Sequence, residues 1–387
     1  MSVSMFRPVV LGLIPGVVLL AFGPSESLAG SPPKVVTHKV IYGEEGRFAG
    51  WPANHGIWSW GDEILVGFSK GFDKDRGPFH HIDKEKPEEF LLARSRDGGN
   101  TWTVEKPKPR GALVGTVEMR HGLFPSGEPR ERPRRQLEPI NFTHADFAFT
   151  MRMESKDDGI SRYYYSYDRG ATWKGPFELP LLGFEGVMGR TDYIVNGPDD
   201  CMVFLSASKK NGKEGRPFAA QTTDGGVSWK FLGLIGPEPS GYAIMPSTVR
   251  LSPNELLTTI RWAEPSKSGI DAYASRDDGK SWEKVSTPEP DAGEGNPPSL
   301  LRLADGRLCL VYGYRAVPFG IRARFSKDKG KTWSAPFSLR DDGGGRDIGY
   351  VRSVILPDGK IVSVYYYHDK QNSPRYLAST IWDPGTE

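Results

Sequence analysis

The side chains able to do chemistry gather in a few stretches of this 387-residue chain. The polar run 69–86 carries Asp73, Asp75, Arg76, His80, His81 and Asp83. Further on, Thr143-His144-Ala145-Asp146 sets an imidazole two residues from a carboxylate, a pair able to trade protons as acid and base. His55, Arg190 and Asp192, like His144 and Asp146, stand at expected strand starts. Clustered there they can hydrogen-bond a polar ligand; singly, each also reads as a structural polar group held by hydrogen bonds. Arg130, Arg132, Arg134 and Arg135 lie among Pro and Glu residues and read as a solvated loop, with a basic patch for an anionic ligand the alternative. No four-ligand Cys/His spacing for zinc is present.

These groups need a scaffold, and a repeated octet supplies it. Ser95-Arg96-Asp97-Gly98-Gly99-Asn100-Thr101-Trp102 recurs as 166–173, 222–229, 275–282 and 326–333, with the consensus S/T-x-D-x-G-x-S/T-W. The aspartates Asp97, Asp168, Asp224, Asp277 and Asp328 are 71, 56, 53 and 51 residues apart. A strand-rich period near 50 marks propeller blades. The octet itself is turn chemistry: glycine accepts positive φ, and the carboxylate and hydroxyls bind turn amides. The tryptophan packs back and pins the turn. This is a folding staple, not a ligand site.

Strand-like runs fall around each octet. Lys34–Tyr42 alternates apolar and polar and is expected to pair with the last blade, closing the ring. Blade 1 is read as strands 53–60 and 63–68, and blade 3 opens at Gly189 and returns through 201–207. Blades 4, 5 and 6 open near Tyr242, Glu294 and Gly349. The formal net charge of +2, from 50 basic and 48 acidic residues, leaves no nucleic-acid footprint. Arg7, the apolar run 9–22 and Ser27-Leu28-Ala29 read as a signal peptide over residues 1–29. A secreted or periplasmic protein is therefore expected, with no membrane span after cleavage. Cys201 and Cys309 fall in different blades, so no disulfide is expected.

The octet resembles the Asp-box, or BNR repeat, of the sialidase (neuraminidase) superfamily. That resemblance implies an all-β fold, a six-bladed β-propeller over residues 30–387. The boxes then sit on one face, between strands three and four of each blade. The active site lies on the other face, where first strands start and second strands end. The segment Gly349-Tyr350-Val351-Arg352-Ser353, ahead of Pro357-Asp358-Gly359, resembles the opening of the family's last blade, whose tyrosine is the nucleophile. A phenol is neutral until deprotonated, which suits attack beside a substrate carboxylate. Arg261 and Arg315 resemble the second and third of three carboxylate-binding arginines. Arg47, in Arg47-Phe48-Ala49-Gly50-Trp51-Pro52, is a loose match for the first. The family's acid is an Asp in the loop after strand two of blade 1, where Asp73, Asp75 and Asp83 lie; Asp73 is favoured.

Two departures stand out. The start of blade 4, Gly241-Tyr242-Ala243-Ile244-Met245, lacks the family's glutamate, and Tyr366 stands near where a second glutamate belongs. Glu294 at the mouth of blade 5 is the expected substitute base, with Asp347 the alternative. The resemblance thus implies a monomeric exo-glycosidase removing sialic acid or another acidic sugar from glycans or glycoconjugates, without metal or organic cofactor. The rival readings are a glycosidase or polysaccharide lyase acting on a different acidic sugar, and a non-catalytic glycan-binding propeller.

Overall fold

The computed structural model describes residues 1, 30–114, 126–127, 129, 131–157, 159–369 and 373–386. The proposed signal peptide (all but Met1) and Arg130 lie outside the described residues. Six antiparallel sheets follow one another along the chain, each built around one of the expected blades. Blade 4 shows the plan, with Tyr242–Ser252, Glu255–Ala263, Ser268–Ser275 and Glu283–Glu289 adjacent in that order. Blade 5 repeats it with Ser299–Arg302, Leu308–Tyr314, Gly320–Ser326 and Phe337–Arg340.

Blade 6 has the order Lys34–Tyr42, Tyr376–Asp383, Ile361–Tyr367, Gly349–Ile355. The first strand of the chain thus pairs with the last, from Lys34 opposite Asp383 to Tyr42 opposite Leu377. That pairing removes the open edge.

Closure is visible in the core as well. Six apolar clusters occupy the six blade-to-blade interfaces. Leu257 and Ile270 of blade 4 meet Leu310 and Tyr312 of blade 5, for example, and Ile64 and Val66 of blade 1 meet Val362 and Val364 of blade 6. A seventh cluster lies at the axis and joins Phe48, Trp51, Met245, Tyr350 and Tyr366. Cys201 and Cys309 are buried free thiols in different clusters.

Each octet makes the turn between strands three and four. In the box at Asp277, the carboxylate accepts from the Ser275 hydroxyl (2.9 Å), the Ser281 amide (2.9 Å) and the Ser281 hydroxyl (2.6 Å). The Trp282 indole donates to Gly279 O at 3.0 Å. Gly279 has φ +85, and a Cβ there would lie 2.7 Å from Met202 of the preceding blade. The box therefore also seats one blade on the next, which explains why the glycine recurs.

The Ser281 hydroxyl bond is the main cause holding Asp277 down to about 2. Its stabilisation is full above the unfolded value near 4 and is lost as pH falls through the folded value. Asp277→Ala is expected to cost about 1–2 kcal/mol at neutral pH, the loss of a few exposed hydrogen bonds. Urea denaturation checks this; an unchanged midpoint contradicts it.

Two blades depart from the sequence reading. In blade 1 the innermost strand is split into Arg47–Gly50 and Ile57–Trp60, both paired with Glu63–Phe72. The one-turn helix Pro52–His55 interrupts them, entered through Trp51 at φ 61 and left through Gly56 at φ 113. In blade 2, Ala148–Met153, Ser161–Ser166 and Lys174–Leu179 form a three-stranded sheet, so Ala148–Met153 occupies the second-strand place.

Candidate active site

Box turns follow third strands, so first strands start, and second strands end, on the face away from the boxes. Tyr350 is the second residue of its strand, Arg261 lies near the end of Glu255–Ala263, and Arg315 follows Leu308–Tyr314. Three blades thereby deliver these side chains to one place. Arg261 Nη1 donates to the Tyr350 hydroxyl at 3.1 Å, and the Arg315 guanidinium lies 5.5 Å from the Tyr350 ring centroid.

The backbone is bent to present the phenol. Tyr350 has φ 52, a left-handed conformation rare for a bulky residue, and the ladder to the next strand is broken between Gly349 and Arg352. Asn296, fully buried, clamps this bulge. Its Oδ1 accepts from Tyr350 N (2.8 Å), and its Nδ2 donates to Ile348 O (2.9 Å). Gly349 must be glycine, because a Cβ would sit 2.3 Å from Asn296 Nδ2. Met245 (φ 58) bends the first strand of blade 4 in the same way, and Trp51 turns the chain in blade 1 at φ 61. Three left-handed residues from three blades thus meet in the axial cluster.

The electrostatics are lopsided. Arg261 and Arg315 are each 7% exposed, and among the described residues neither has a carboxylate within 4 Å. Arg261 bonds phenols instead, Tyr350 and Tyr242 (2.8 Å), and its Nε has no hydrogen-bond partner. Burial opposes its charge, but the Tyr350 and Tyr242 oxygens outweigh burial and hold its pKa above the ordinary value. Arg315 donates to Ile348 O (3.0 and 3.1 Å) and to the Tyr366 hydroxyl (2.8 Å). Burial keeps Tyr366 well above the ordinary phenol range, so it remains a neutral donor.

One buried carboxylate organises the neighbouring wall. Asp347 accepts from Tyr366 (2.7 Å), the His81 amide (3.0 Å) and His80 Nδ1 (2.6 Å), and pairs with Arg375 at 3.1 Å. Burial alone would raise its pKa. The His80 hydrogen bond and the charges of His80, Arg375 and Arg315 outweigh burial and keep it ionised, far below the usual carboxylate range. His80 stands edge-on to Tyr350, with ring centroids 5.9 Å apart, and to Trp51 at 5.3 Å.

Asp73 stands close by. Burial raises its pKa against the charges of Arg375 and His81, and its Oδ1 is buried without a hydrogen-bond partner. Asp75 is largely exposed (66%). Asp83 bonds Lys74 (3.3 Å) and is net lowered, burial being outweighed by the Glu85 amide and Lys74.

Several expected residues lie elsewhere. Arg47 pairs with Glu44 (3.3 Å) and stacks on Phe72 (3.6 Å), because strand alternation sends its neighbour Phe48 to the site instead. The third buried guanidinium of the cluster is Arg375, 4% exposed and just ahead of Tyr376–Asp383. Glu294 is half-exposed and pairs with Arg346 rather than with Tyr350.

His55 is fully buried between Ser69 (2.9 Å) and Arg152. Burial first, and Arg152 second, keep it neutral and structural. His144 and Asp146 precede a second strand, not a first, and so lie on the box face; Asp146 pairs with Arg169 of the second box at 2.6 Å, and His144 lies against Tyr167. Asp192 lines the axial channel. A concavity of about 550 Å³ around Lys106–Gly111 contains none of the clustered residues. The residues given no role from sequence are Arg375, Asn296, Tyr242 and His80, of which His80 carries a signal in the polar loop; Asp347, the alternative base, is His80's partner rather than a base on Tyr350 itself.

Comparison with known proteins agrees with this architecture. Residues 147–362, more than half the chain, match the family described as BNR repeat-like domain. No curated protein matches. A protein of unknown function from Dyadobacter fermentans superposes with a TM-score of 0.67 at 20% identity, over 91% of this chain and 99% of that one. The NanB sialidase of Streptococcus pneumoniae gives 0.55 at 13%, over 89% and 70%. An α-L-arabinanase of Penicillium chrysogenum, complexed with arabinobiose, gives 0.55 at 13%, over 90% and 98%. At these identities the likeness is one of fold.

Proposed function

Because this chain belongs to the BNR repeat-like domain family, with a sialidase-like propeller carrying a buried cationic cluster, we propose that it is an exo-glycosidase for a terminal anionic sugar, sialic acid foremost. The observation that carries this reading is the pair Arg261 and Arg315, buried with no carboxylate within 4 Å. Asp347 acts on Arg315 through Tyr366, but Arg261 has only phenols beside it, and a buried charge there is costly unless a ligand supplies the anion. Planar guanidiniums match a carboxylate in geometry as well as charge.

In the proposed reaction the substrate carboxylate lies on Arg261 and Arg315, and Tyr350 attacks the anomeric carbon. Arg261, already on the phenol oxygen, eases negative charge there. His80 in its neutral form, its Nδ1–H held by Asp347 and its ring against Tyr350, takes the phenol proton, the role of the glutamate absent from blade 4. Asp73, raised by burial, protonates the leaving oxygen. Attack by Tyr350 followed by water gives net retention. The N-terminal segment supports export.

The test is turnover by the full chain on aryl sialosides, aryl uronides and aryl arabinofuranosides. Hydrolysis confined to an anionic sugar supports the reading, and hydrolysis of the neutral arabinoside alone overturns it. Asp73→Asn adds a second check. It should slow natural oligosaccharides about 10²–10⁴-fold, the usual contribution of an acid. Aryl glycosides with good leaving groups should be much less affected. Equal loss on both substrate types removes Asp73 from the acid role.

A further inference from the structure

The ring encloses a second cavity that the proposed reaction does not use. It measures about 370 Å³ and is walled by inner residues including Trp60, Asp192, Thr248, Ser299, Arg352 and Ser353. Trp60 sits at the box end of its strand, opposite Glu63 at the turn, with Arg169 of the second box over its ring at 6.0 Å. The cavity therefore belongs to the box side of the axis. Arg352 separates it from the site above, donating from Nη2 to Ala53 O (3.2 Å) and Thr191 O (2.8 Å). Ala53 itself packs in the cluster that holds Tyr350.

Arg352 is 6% exposed, and its Nε is buried without a hydrogen-bond partner. Among the described residues no carboxylate lies within 4 Å of it. Asp192 faces the same space, its carboxylate held by the Thr248 hydroxyl (2.9 Å) and amide (3.4 Å). The serines of the wall are fixed by the propeller itself: Ser247 Oγ accepts from Leu300 N (2.9 Å) and Ser299 Oγ from Ser353 N (3.0 Å). A buried cation, a carboxyl group and rigid hydroxyls, in a space of the size that holds small molecules, make a polar pocket.

We propose that this cavity is a second binding site, for a small hydroxylated carboxylate of the sugar-acid class, with its carboxylate on Arg352 and its hydroxyls on Asp192, Thr248 and the serines. The site is separate from the Tyr350 cluster and does not depend on the reaction proposed there. Burial first raises Asp192 to about 7, against the charge of Arg352 and the Thr248 hydrogen bonds. Arg352 is the charged side chain that acts on it; blade 4 contributes the Thr248 hydroxyl and amide. Below pH 7 a neutral Asp192 leaves the Arg352 charge unopposed, so binding should be tighter at pH 6 than at pH 8.

The test is calorimetric titration of the full chain with D-galacturonate, and with D-galactose as the uncharged analogue. Arg261→Gln, which disables the front site, should keep one galacturonate per chain, with galactose at least roughly tenfold weaker, about the worth of one charge-assisted contact. Ser59 is exposed and lines the cavity mouth, so Ser59→Trp can close it without disturbing buried groups. Added to Arg261→Gln it should abolish binding; Arg352→Gln should do the same if it folds. Absence of binding in Arg261→Gln overturns the proposal. So does binding that survives Ser59→Trp, or that is equal for galactose. Turnover by the wild type reads the front site separately.

Discussion

Tyr350→Phe should lower kcat about 10³-fold or more while changing substrate affinity only a few-fold. The phenylalanine keeps the ring that packs with Trp51, Met245 and Tyr366, and it keeps the bulge clamped by Asn296. What it removes is one oxygen, the atom to which Arg261 donates at 3.1 Å. A nucleophile acts in the chemical step, so its loss falls on kcat, whereas a loss of uniform binding raises KM instead. Arg261 remains bonded to Tyr242 and stays available for the substrate carboxylate. Steady-state kinetics on an aryl sialoside or uronide separates the two effects. A variant with wild-type kcat assigns Tyr350 to packing and leaves the cluster without a nucleophile.

Asp347→Asn should cost both stability and turnover. This carboxylate is 4% exposed and serves Tyr366, His80, the His81 amide and Arg375 together. Asparagine keeps the shape but leaves Arg315, Arg375 and His80 around a neutral group. Removing one partner of a buried charge set typically costs about 3–5 kcal/mol. Because the folded pKa is depressed, that stabilisation is full above the unfolded value near 4 and fades as pH falls below it. The gap in denaturation free energy between wild type and variant should therefore be wide at pH 7 and narrow toward pH 3. Turnover should fall with it, since His80 loses the partner that orients Nδ1. A gap that does not change with pH contradicts the assignment of a deeply ionised Asp347.

The boxes were legible because their chemistry is local. An Asp, a Gly and two hydroxyl residues close a turn within eight positions, and the period between turns states the architecture. Arg261, Arg315 and Tyr350 could be located because they match the family pattern at strand ends that this register places. Arg375 could not, since its place is set by a backbone contact across the closure of the ring, Ala49 N to Arg375 O at 2.9 Å. His80 and Asp347 are 267 positions apart and meet only when the ring closes. His144 and Asp146 were misplaced for a different reason: the innermost position of blade 2 is not filled by a regular strand among the described residues, which shifted the strand count. Glu294 pairs instead with Arg346 of the next blade's approach, a partner that no spacing rule encodes.

The proposed site receives a substrate carboxylate on Arg261 and Arg315. Calorimetric titration with sialic acid beside its methyl ester, on wild type and Arg261→Ala, tests it most directly. The acid should bind, the ester should bind at least about tenfold more weakly, and Arg261→Ala should remove the difference. Equal binding of acid and ester by the wild-type chain would contradict it.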